Sequence, residues 1–241
     1  MIKAAINGSR TKQHHARLPF TAEQAAHESS RCIAVGAEAI HVHVWAKQVK
    51  ESLHPDDVTH FLKTIRHVNP EVPIGISTGA WIEPSLQKRL ELIANWGTLP
   101  DFVSLNFDEE YVEQVADVLL EKRVGIEAGI ANVTAAKTLA AWPKRNLCLR
   151  ILLEPEAKTV KAAKAQVEEI ETVLDKQNMT LPRLLHGHED TTWPMLELAA
   201  ECGYDTRIGF EDSIYLPDGR VAKTNEQLVK AAANVFQRYA A

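Results

Sequence analysis

Short apolar runs rich in β-branched residues alternate along the chain with longer segments whose apolar residues recur every three or four positions. The short runs predict eight strands, at residues 2–6, 39–44, 74–78, 102–107, 125–130, 147–155, 183–189 and 206–212. The longer segments predict eight helices, at residues 18–35, 54–68, 83–96, 109–123, 132–142, 159–177, 191–203 and 225–241. Thr21 and Gln24 predict a capping box at the start of the first helix, and Asn69-Pro70 should end the second.

The order of these elements defines the predicted fold class. Strands that alternate with helices indicate an α/β protein with a parallel sheet and right-handed crossovers. Eight such units in 241 residues predict a closed (β/α)8 TIM barrel that forms a single domain over residues 1–241. A doubly wound open sheet is the alternative, and it is less favoured because no G-x-G-x-x-G follows the first strand.

Composition narrows the class of protein and its partners. The net charge of −5 gives no electrostatic footprint for nucleic acid or an anionic membrane. No apolar stretch reaches the roughly 18 residues that a membrane span needs, and the opening MIKAAINGSRTK is too short in apolar residues for a secretory signal. The three scattered cysteines lack a C-x-x-C pair and predict reduced packing residues. We therefore expect a cytoplasmic protein that acts on a small molecule, without nucleic-acid or membrane partners.

Polar residues collect where the predicted strands end. In a (β/α)8 barrel the carboxyl ends of the strands carry the active site. The polar residues and one glycine at these ends, strand by strand, are His41 and His43; Ser77, Thr78 and Gly79; Ser104 and Asn106; Glu127; Arg150 and Glu154; His186, His188 and Glu189; Arg207, Glu211 and Asp212. We expect these side chains to face one end of the barrel or to line its interior.

The run IHVHVW at 40–45 suggests a metal site. His41 and His43 are two residues apart, so they should point to the same side of the strand. Strands two and eight both neighbour strand one, about 10 Å apart, and Glu211 is the best-placed carboxylate on strand eight. Two imidazoles and one carboxylate form a set that suits catalytic zinc with one open position, although manganese, iron or cobalt would also fit.

Other interpretations of these residues stay open at this point. A single H-x-H in an apolar strand is often a pair of ordinary core histidines. His186-Gly-His188 is a second H-x-H at a strand end and competes for the same role. Arg207 could simply form a structural ion pair with Glu211 or Asp212.

Several motifs together resemble one enzyme family. IHVHV, ISTGAW, FVSLNF and RIGFEDSIYLPDGRVAKTNEQLV are similar to segments of the β-keto acid cleavage enzymes, whose best-known activity is the cleavage of 3-keto-5-aminohexanoate. The resemblance runs in order along nearly the whole chain. Its most specific part is R-x-G-x-E-D followed by G-x-x-A-x-x-N.

This resemblance implies a reaction and a site. The family is a zinc-dependent (β/α)8 barrel that cleaves a β-keto acid with acetyl-CoA by retro-Claisen acyl transfer, giving acetoacetate and a new acyl-CoA. It implies that the metal is held by His41, His43 and Glu211. It also implies catalytic roles for Asp212 as general base, Arg207, Ser77 and Glu127. We expect substrate binding by Ser104, Asn106, Thr78, Gly79 and Arg10, and a homo-oligomer, a dimer or tetramer.

The sequence also departs from the family pattern. Trp45 stands where the family usually has Arg, and Gly8-Ser9-Arg10 stands where it commonly has Gly-Ala-Glu. Arg10 thus stands where the family commonly has an acidic residue, which suggests that Arg10 favours an anionic acyl group. Two other functions remain open: a metal-dependent aldolase or hydrolase that uses no CoA, and a metal- or ligand-binding barrel without turnover. Retention of Arg207, Glu211 and Asp212 beside two histidines argues against the loss of turnover.

Overall fold

The computed structural model describes residues 1–47 and 50–239. Within these residues a closed parallel barrel is formed by β1 (Ile2–Ala5), β2 (Ala39–Val42), β3 (Ile74–Ser77), β4 (Phe102–Asn106), β5 (Gly125–Ile130), β6 (Arg150–Leu153), β7 (Arg183–Leu185) and β8 (Asp205–Ile208). The helices that follow these strands are α1 (Ala22–Ala34), α2 (Pro55–Val68), α3 (Leu86–Ala94), α4 (Val112–Glu121), α5 (Val133–Ala141), α6 (Val160–Lys176), α7 (Thr192–Cys202) and α8 (Asn225–Gln237). The predicted TIM barrel is confirmed.

The barrel closes through β1, which pairs in parallel with both β2 and β8. Ala5 of β1 lies opposite His41 of β2, and Ala4 lies opposite Ile208 of β8. Each of the other strands pairs with its neighbours in sequence. The carboxyl ends of β2 and β8 are therefore separated by a single strand, as the sequence predicts.

Every strand except β5 is shorter than its sequence pattern predicts. β2 ends at Val42, β7 at Leu185 and β8 at Ile208, so His43, the second H-x-H and Glu211 lie on the loops that directly follow. After Val42 the main chain leaves the sheet because the side chain of Asn7 takes over its hydrogen bonds. Asn7 accepts from the His43 N–H at 2.8 Å and donates to the His43 carbonyl at 2.9 Å.

A short antiparallel hairpin follows β2 and was not predicted. Trp45–Ala46 pairs with Lys50–Glu51, with Trp45 opposite Glu51. Gln48 and Val49 lie outside the described residues, as do Ala240 and Ala241 at the end of the predicted last helix. The hairpin brings Glu51 back beside the end of β2.

The helices pack apolar faces around the barrel. The predicted capping box is present, because Thr21 Oγ1 accepts from the Gln24 N–H and Gln24 Oε1 accepts from the Thr21 N–H, both at 3.2 Å. One contiguous apolar core joins the outer face of the barrel to the helices. In the described chain, no helix combines the length and apolarity needed to cross a membrane.

The inside of the barrel is charged near the amino ends of the strands. Lys3 of β1 is fully buried and donates to Glu127 of β5, which is also fully buried. Arg150 lies 3.4 Å from Glu127 and donates to Asp205 at 2.7 Å. Burial lowers the pKa of Lys3, and Glu127 partly opposes that effect. This network fills the interior below the cavity that the loops form.

Candidate active site

A cavity of about 660 Å³ opens at the carboxyl ends of the strands. The predicted residues that line it are Arg10, His41, His43, Ser77, Ser104, Asn106, Arg207 and Glu211. The predicted site is therefore largely one continuous surface, built from the ends of β2, β3, β4 and β8 and the loop after β1.

His41, His43 and Glu211 form a three-ligand cluster in this cavity. Glu211 Oε2 lies 3.6 Å from His41 Nε2, and Glu211 Oε1 lies 3.4 Å from His43 Nε2. Two donor atoms that each lie about 2.0–2.1 Å from a tetrahedral zinc ion are roughly 3.3–3.4 Å apart. Glu211 Oε2 and His41 Nδ1 are buried and have no hydrogen-bond partner among the described residues. The cluster therefore has the donor set and the spacing of a catalytic metal site.

The protonation of this cluster follows from burial and charge. Burial lowers the pKa of His41 well below its usual range, so its imidazole is neutral and able to bind a cation. Burial has the same effect on His43, but the carboxylates of Glu211 and Glu51 outweigh it and raise its pKa to about 9. Burial opposes ionisation of Glu211, yet Arg207 and the two histidines hold its pKa well below the usual range. The charge of Glu211 is therefore compensated by the Arg207 guanidinium and by His43.

Glu51 positions His43, and sequence reasoning missed it. Glu51 Oε2 lies 2.7 Å from His43 Nδ1 and accepts from Trp81 Nε1 at 3.2 Å. A carboxylate on the second ring nitrogen of a histidine fixes the tautomer that offers the first nitrogen to a metal. The sequence does place an acid eight residues after His43, but strands of two residues leave no alternating pattern that would predict the hairpin.

Gly8 gives Glu211 the space to reach the histidines. Gly8 has φ of +64°, and a Cβ built on it would overlap the Glu211 side chain. The predicted Gly8-Ser9-Arg10 segment therefore runs directly against the cluster.

Arg207 joins Glu211 to Asp212. Its Nη2 donates to Glu211 Oε1 at 2.9 Å and to Asp212 Oδ1 at 2.6 Å, and its Nε donates to the same Oδ1 at 3.1 Å. Asp212 is fully buried, and burial raises its pKa although Arg207 opposes the rise. Asp212 Oδ2 has no hydrogen-bond partner among the described residues.

Some of the remaining predicted residues line the cavity, and others are buried in the protein interior. Thr78 is fully buried, and its hydroxyl donates to the Ser104 carbonyl at 3.0 Å. Gly79 leaves space for the Trp81 ring, since a Cβ there would overlap it. Glu127 has no exposed surface and accepts from the Ser104 hydroxyl at 3.2 Å. Thr78 and Glu127 thus lie behind the cavity wall, whereas Ser104 forms part of it.

Arg10 lines the cavity and is held by three acceptors. Its Nε donates to the Glu211 carbonyl at 3.1 Å, and its Nη2 donates to the Asp212 carbonyl at 3.2 Å and to the carboxylate of Glu189. The guanidinium therefore bridges the loops after β1, β7 and β8 at the cavity mouth.

Comparison with known proteins shows the family to which the chain belongs. The family model described as beta-keto acid cleavage enzyme matches residues 1–241. The chain belongs to the beta-keto acid cleavage enzyme family. It is 26% identical over 245 residues to a 3-keto-5-aminohexanoate cleavage enzyme from Fusobacterium nucleatum, covering 95% of this chain and 88% of the relative. A second enzyme of that name, from Acetoanaerobium sticklandii, is 22% identical over 258 residues, covering 99% of this chain and 92% of the relative.

Solved structures agree on the fold of this beta-keto acid cleavage enzyme family member. A binary complex of ObcA with oxaloacetate superposes with a TM-score of 0.68 at 14% sequence identity and covers 90% of this chain. A ternary complex of ObcA with a C4-CoA adduct and oxalate gives a TM-score of 0.66 at 15% identity and covers 92% of this chain. The chain spans 63% and 64% of those two longer chains.

Proposed function

We propose that this protein cleaves a β-keto acid by retro-Claisen acyl transfer, with zinc held by His41, His43 and Glu211 and with acetyl-CoA as cosubstrate. The products would be acetoacetate and a new acyl-CoA. The observation that carries the proposal is the cluster of two imidazoles and one carboxylate, spaced as zinc ligands, on the wall of the cavity at the carboxyl end of the barrel. Membership of the beta-keto acid cleavage enzyme family supports it.

The ligand residues fit a catalytic zinc ion. Zinc bound to them would supply a Lewis acid for the ketone oxygen of the substrate and for the negative charge that develops on carbon–carbon cleavage. Three protein ligands would leave a position for substrate, and all three of these residues line the cavity. Glu51 would hold the His43 ring in the ligating orientation.

Asp212 is assigned as the general base and Arg207 as the residue that orients it. Both contacts from Arg207 are made to Oδ1, which leaves Oδ2 as the oxygen available to take a proton. The raised pKa of Asp212 suits that task, because a base is most effective when its pKa approaches the working pH.

Three polar side chains on the cavity wall are proposed to hold the substrate: Ser77, Ser104 and Asn106. The hydroxyls of Ser77 and Ser104 lie at the ends of adjacent strands, where these two residues are register partners. The Ser77 hydroxyl can donate to a substrate carboxylate or to the tetrahedral centre that forms on acyl transfer, and the Ser104 hydroxyl can do so if it releases its hydrogen bond to Glu127. Ser104 also connects the cavity to Glu127 in the interior.

Arg10 is proposed to favour an acyl group that carries negative charge. Its guanidinium lies at the cavity mouth, where a carboxylate on the distal end of the substrate would compete with Glu189. An Arg10→Glu variant should shift the preference from anionic to cationic β-keto acids. If the ratio of kcat/KM for anionic and cationic substrates were the same in Arg10→Glu and in the wild type, this assignment would be wrong.

The test is a reconstitution of activity from metal-depleted protein. Zinc and acetyl-CoA are added separately and together to a panel that includes 3-keto-5-aminohexanoate and β-keto dicarboxylates, and both the loss of the β-keto acid and the formation of acetoacetate are followed by NMR. We expect turnover only with both additions, and its loss in His43→Ala and Glu211→Gln. His60→Ala, an exposed histidine on α2, is the control. Full turnover without acetyl-CoA would contradict acyl transfer, and full turnover in both cluster variants would contradict the metal site.

A further inference from the structure

We propose that Glu154, His186 and His188 form a second site for a divalent transition-metal ion. This second cluster is built from the loops after β6 and β7 and has the same donor set as the first cluster of His41, His43 and Glu211. The proposal goes beyond the proposed function, and it holds or fails independently of metal binding at the first cluster.

The second cluster shares its donor types and one carboxylate–imidazole distance with the first. One ligand atom from each of its three residues lies within 4.8 Å of the others. Glu154 Oε2 lies 3.5 Å from His186 Nε2, close to the 3.4 and 3.6 Å that join Glu211 to the first two histidines. Two ligands of one tetrahedral ion are separated by about the same distance, roughly 3.3–3.4 Å.

A buried nitrogen without a partner points into this cluster. His186 is fully buried, and its Nε2 has no hydrogen-bond partner among the described residues. Native structures rarely leave such an atom unsatisfied, and an unplaced ion is one of the standard explanations. The carboxylate of Glu154 lies 3.5 Å from this nitrogen, which is too distant for a normal hydrogen bond.

The other nitrogen of His186 faces acceptors, as in a ligating histidine. Its Nδ1 lies 3.4 Å from the Gly187 carbonyl and 3.5 Å from Asp212 Oδ1. A ring N–H directed at a carbonyl or carboxylate leaves the lone pair on the opposite nitrogen, here Nε2 toward Glu154. His43 shows the same arrangement, with Glu51 on Nδ1 and Glu211 beside Nε2.

The charges around the second cluster allow a cation to bind. The nearby guanidinium of Arg207 is already paired with the carboxylates of Glu211 and Asp212. A cation at the second cluster would therefore meet the carboxylate of Glu154 and an arginine whose charge is compensated.

An ion can enter this site from solvent. Glu154 and His188 line the cavity, and the side chain of His188 is 43% exposed. Gly129 of β5 leaves space for the Glu154 carboxylate, because a Cβ there would overlap it. Three protein ligands at the edge of a cavity leave one or more positions for water or for an oxygen of the substrate.

The experiment counts metal ions per chain. Tag-free protein is stripped with a chelator, dialysed against excess Zn²⁺ or Co²⁺, and analysed by mass spectrometry of the bound metal. We expect two equivalents in the wild type and one in each of Glu154→Gln and His188→Ala. The controls are Glu156→Gln and His14→Ala, which remove the same side-chain types from the same cavity and should keep two equivalents.

The variants of the first cluster separate this proposal from the proposed function. His43→Ala and Glu211→Gln should each keep the one equivalent held by the second cluster. A wild type with a single equivalent that only His43→Ala and Glu211→Gln abolish would overturn the second site. So would a second equivalent that survives in both Glu154→Gln and His188→Ala. A single equivalent lost only in the second-cluster variants would uphold the second site and overturn the metal centre at the first cluster. Circular dichroism melts of every variant confirm that the counts refer to folded protein.

Discussion

At the residue scale, the first cluster depends on the missing side chain of Gly8 as well as on its three ligands. Glu211 follows β8 and reaches the histidines after β2 by passing directly over Gly8. Gly8 meets two demands, since it has a positive φ and its missing side chain makes room for the glutamate. A ligand and a glycine more than 200 positions apart in sequence are therefore one structural unit.

The substitution Gly8→Ala tests this unit. A left-handed backbone costs an L-residue about 1–2 kcal/mol. The overlap with Glu211 adds about 1–3 kcal/mol of overpacking and displaces the carboxylate from the histidines. We expect a lower urea midpoint together with loss of bound zinc from the first cluster. Gly203→Ala is the matched control, because Gly203 has a similar φ of +69° but nothing within 4 Å of a built Cβ. Equal destabilisation by the two substitutions, with zinc retained in both, would refute the assigned role of Gly8.

Glu51 gives a second prediction at this scale. Glu51→Gln removes the charge that holds the His43 ring through Nδ1, while the amide can still occupy the space. Loss of such a carboxylate partner typically weakens metal binding by about 10–100-fold. Competition with a chromogenic chelator measures the zinc Kd directly. Glu71→Gln, a change at an exposed acid on the loop after α2, should leave the Kd unchanged. A Kd in Glu51→Gln equal to that of the wild type would show that Glu51 does not position His43.

The three ligands of the first cluster could be predicted from the sequence, because side chains two positions apart in a strand point to the same side and the order of the strands is regular. His41 and His43 are two positions apart, and strand order places β2 and β8 on either side of β1. The contacts that orient these residues could not be predicted in this way. Asn7 and Trp81 lie on loops and Glu51 lies on a strand of two residues, so no periodicity relates their sequence positions to direction. The burial of Asp212 could not be predicted from the hydrophobic pattern either, since it depends on the conformation of the loop after β8.

At the scale of elements, strand and helix ends are set by local hydrogen bonds. The predicted end was two residues too late for β2 and four residues too late for β7 and β8, because the sheet pairing stops inside each predicted run. The capping box at Thr21 was predicted correctly, although the predicted run of the first helix starts four residues before α1 does. α1 begins directly after Thr21, and α2 begins at Pro55 with the His54 ring accepting from the Asp56 N–H.

The capping box of α1 carries the prediction at this scale. Thr21→Ala removes the hydroxyl that accepts from the Gln24 N–H, and loss of such a cap costs about 1 kcal/mol. For a chain of this size the melting temperature should fall by about 2–4 °C. Thr172→Ala, an exposed change inside α6, is the control and should cost nothing, since alanine has the higher helix propensity. A melting temperature unchanged in Thr21→Ala would show that the cap contributes little to stability.

At the scale of the whole molecule, closure of the barrel brings together charges that are distant in sequence. Lys3 of β1 and Glu127 of β5 meet inside the barrel although 124 positions separate them. The sequence indicated that Glu127 would face the site, but it gave no indication that a lysine on the first strand would meet it. Whether the chain also assembles into a dimer or tetramer, and whether it acts in the cytoplasm, stay predictions.

The Lys3–Glu127 pair permits a test that separates support of the barrel from catalysis by Glu127. Removing one partner of a buried ion pair costs about 3–5 kcal/mol, because the other charge stays buried without its partner. Lys3→Met should therefore destabilise the fold strongly, although Arg150 lies 3.4 Å from Glu127 and offsets part of the loss. Replacing both partners in Lys3→Met/Glu127→Leu should restore much of the stability, since similar apolar volume fills the space.

Urea unfolding of the two single variants and the double variant measures this coupling as a thermodynamic cycle. Costs that simply add would contradict the proposed pairing. The double variant also decides the role of Glu127. If it is as stable as expected but inactive with zinc and acetyl-CoA present, Glu127 acts on the chemistry through the Ser104 hydroxyl, which donates to it at 3.2 Å from the cavity wall. If it retains turnover, the contribution of Glu127 is to hold β1 and β5 together beneath the site, and the predicted catalytic role falls to the residues that line the cavity.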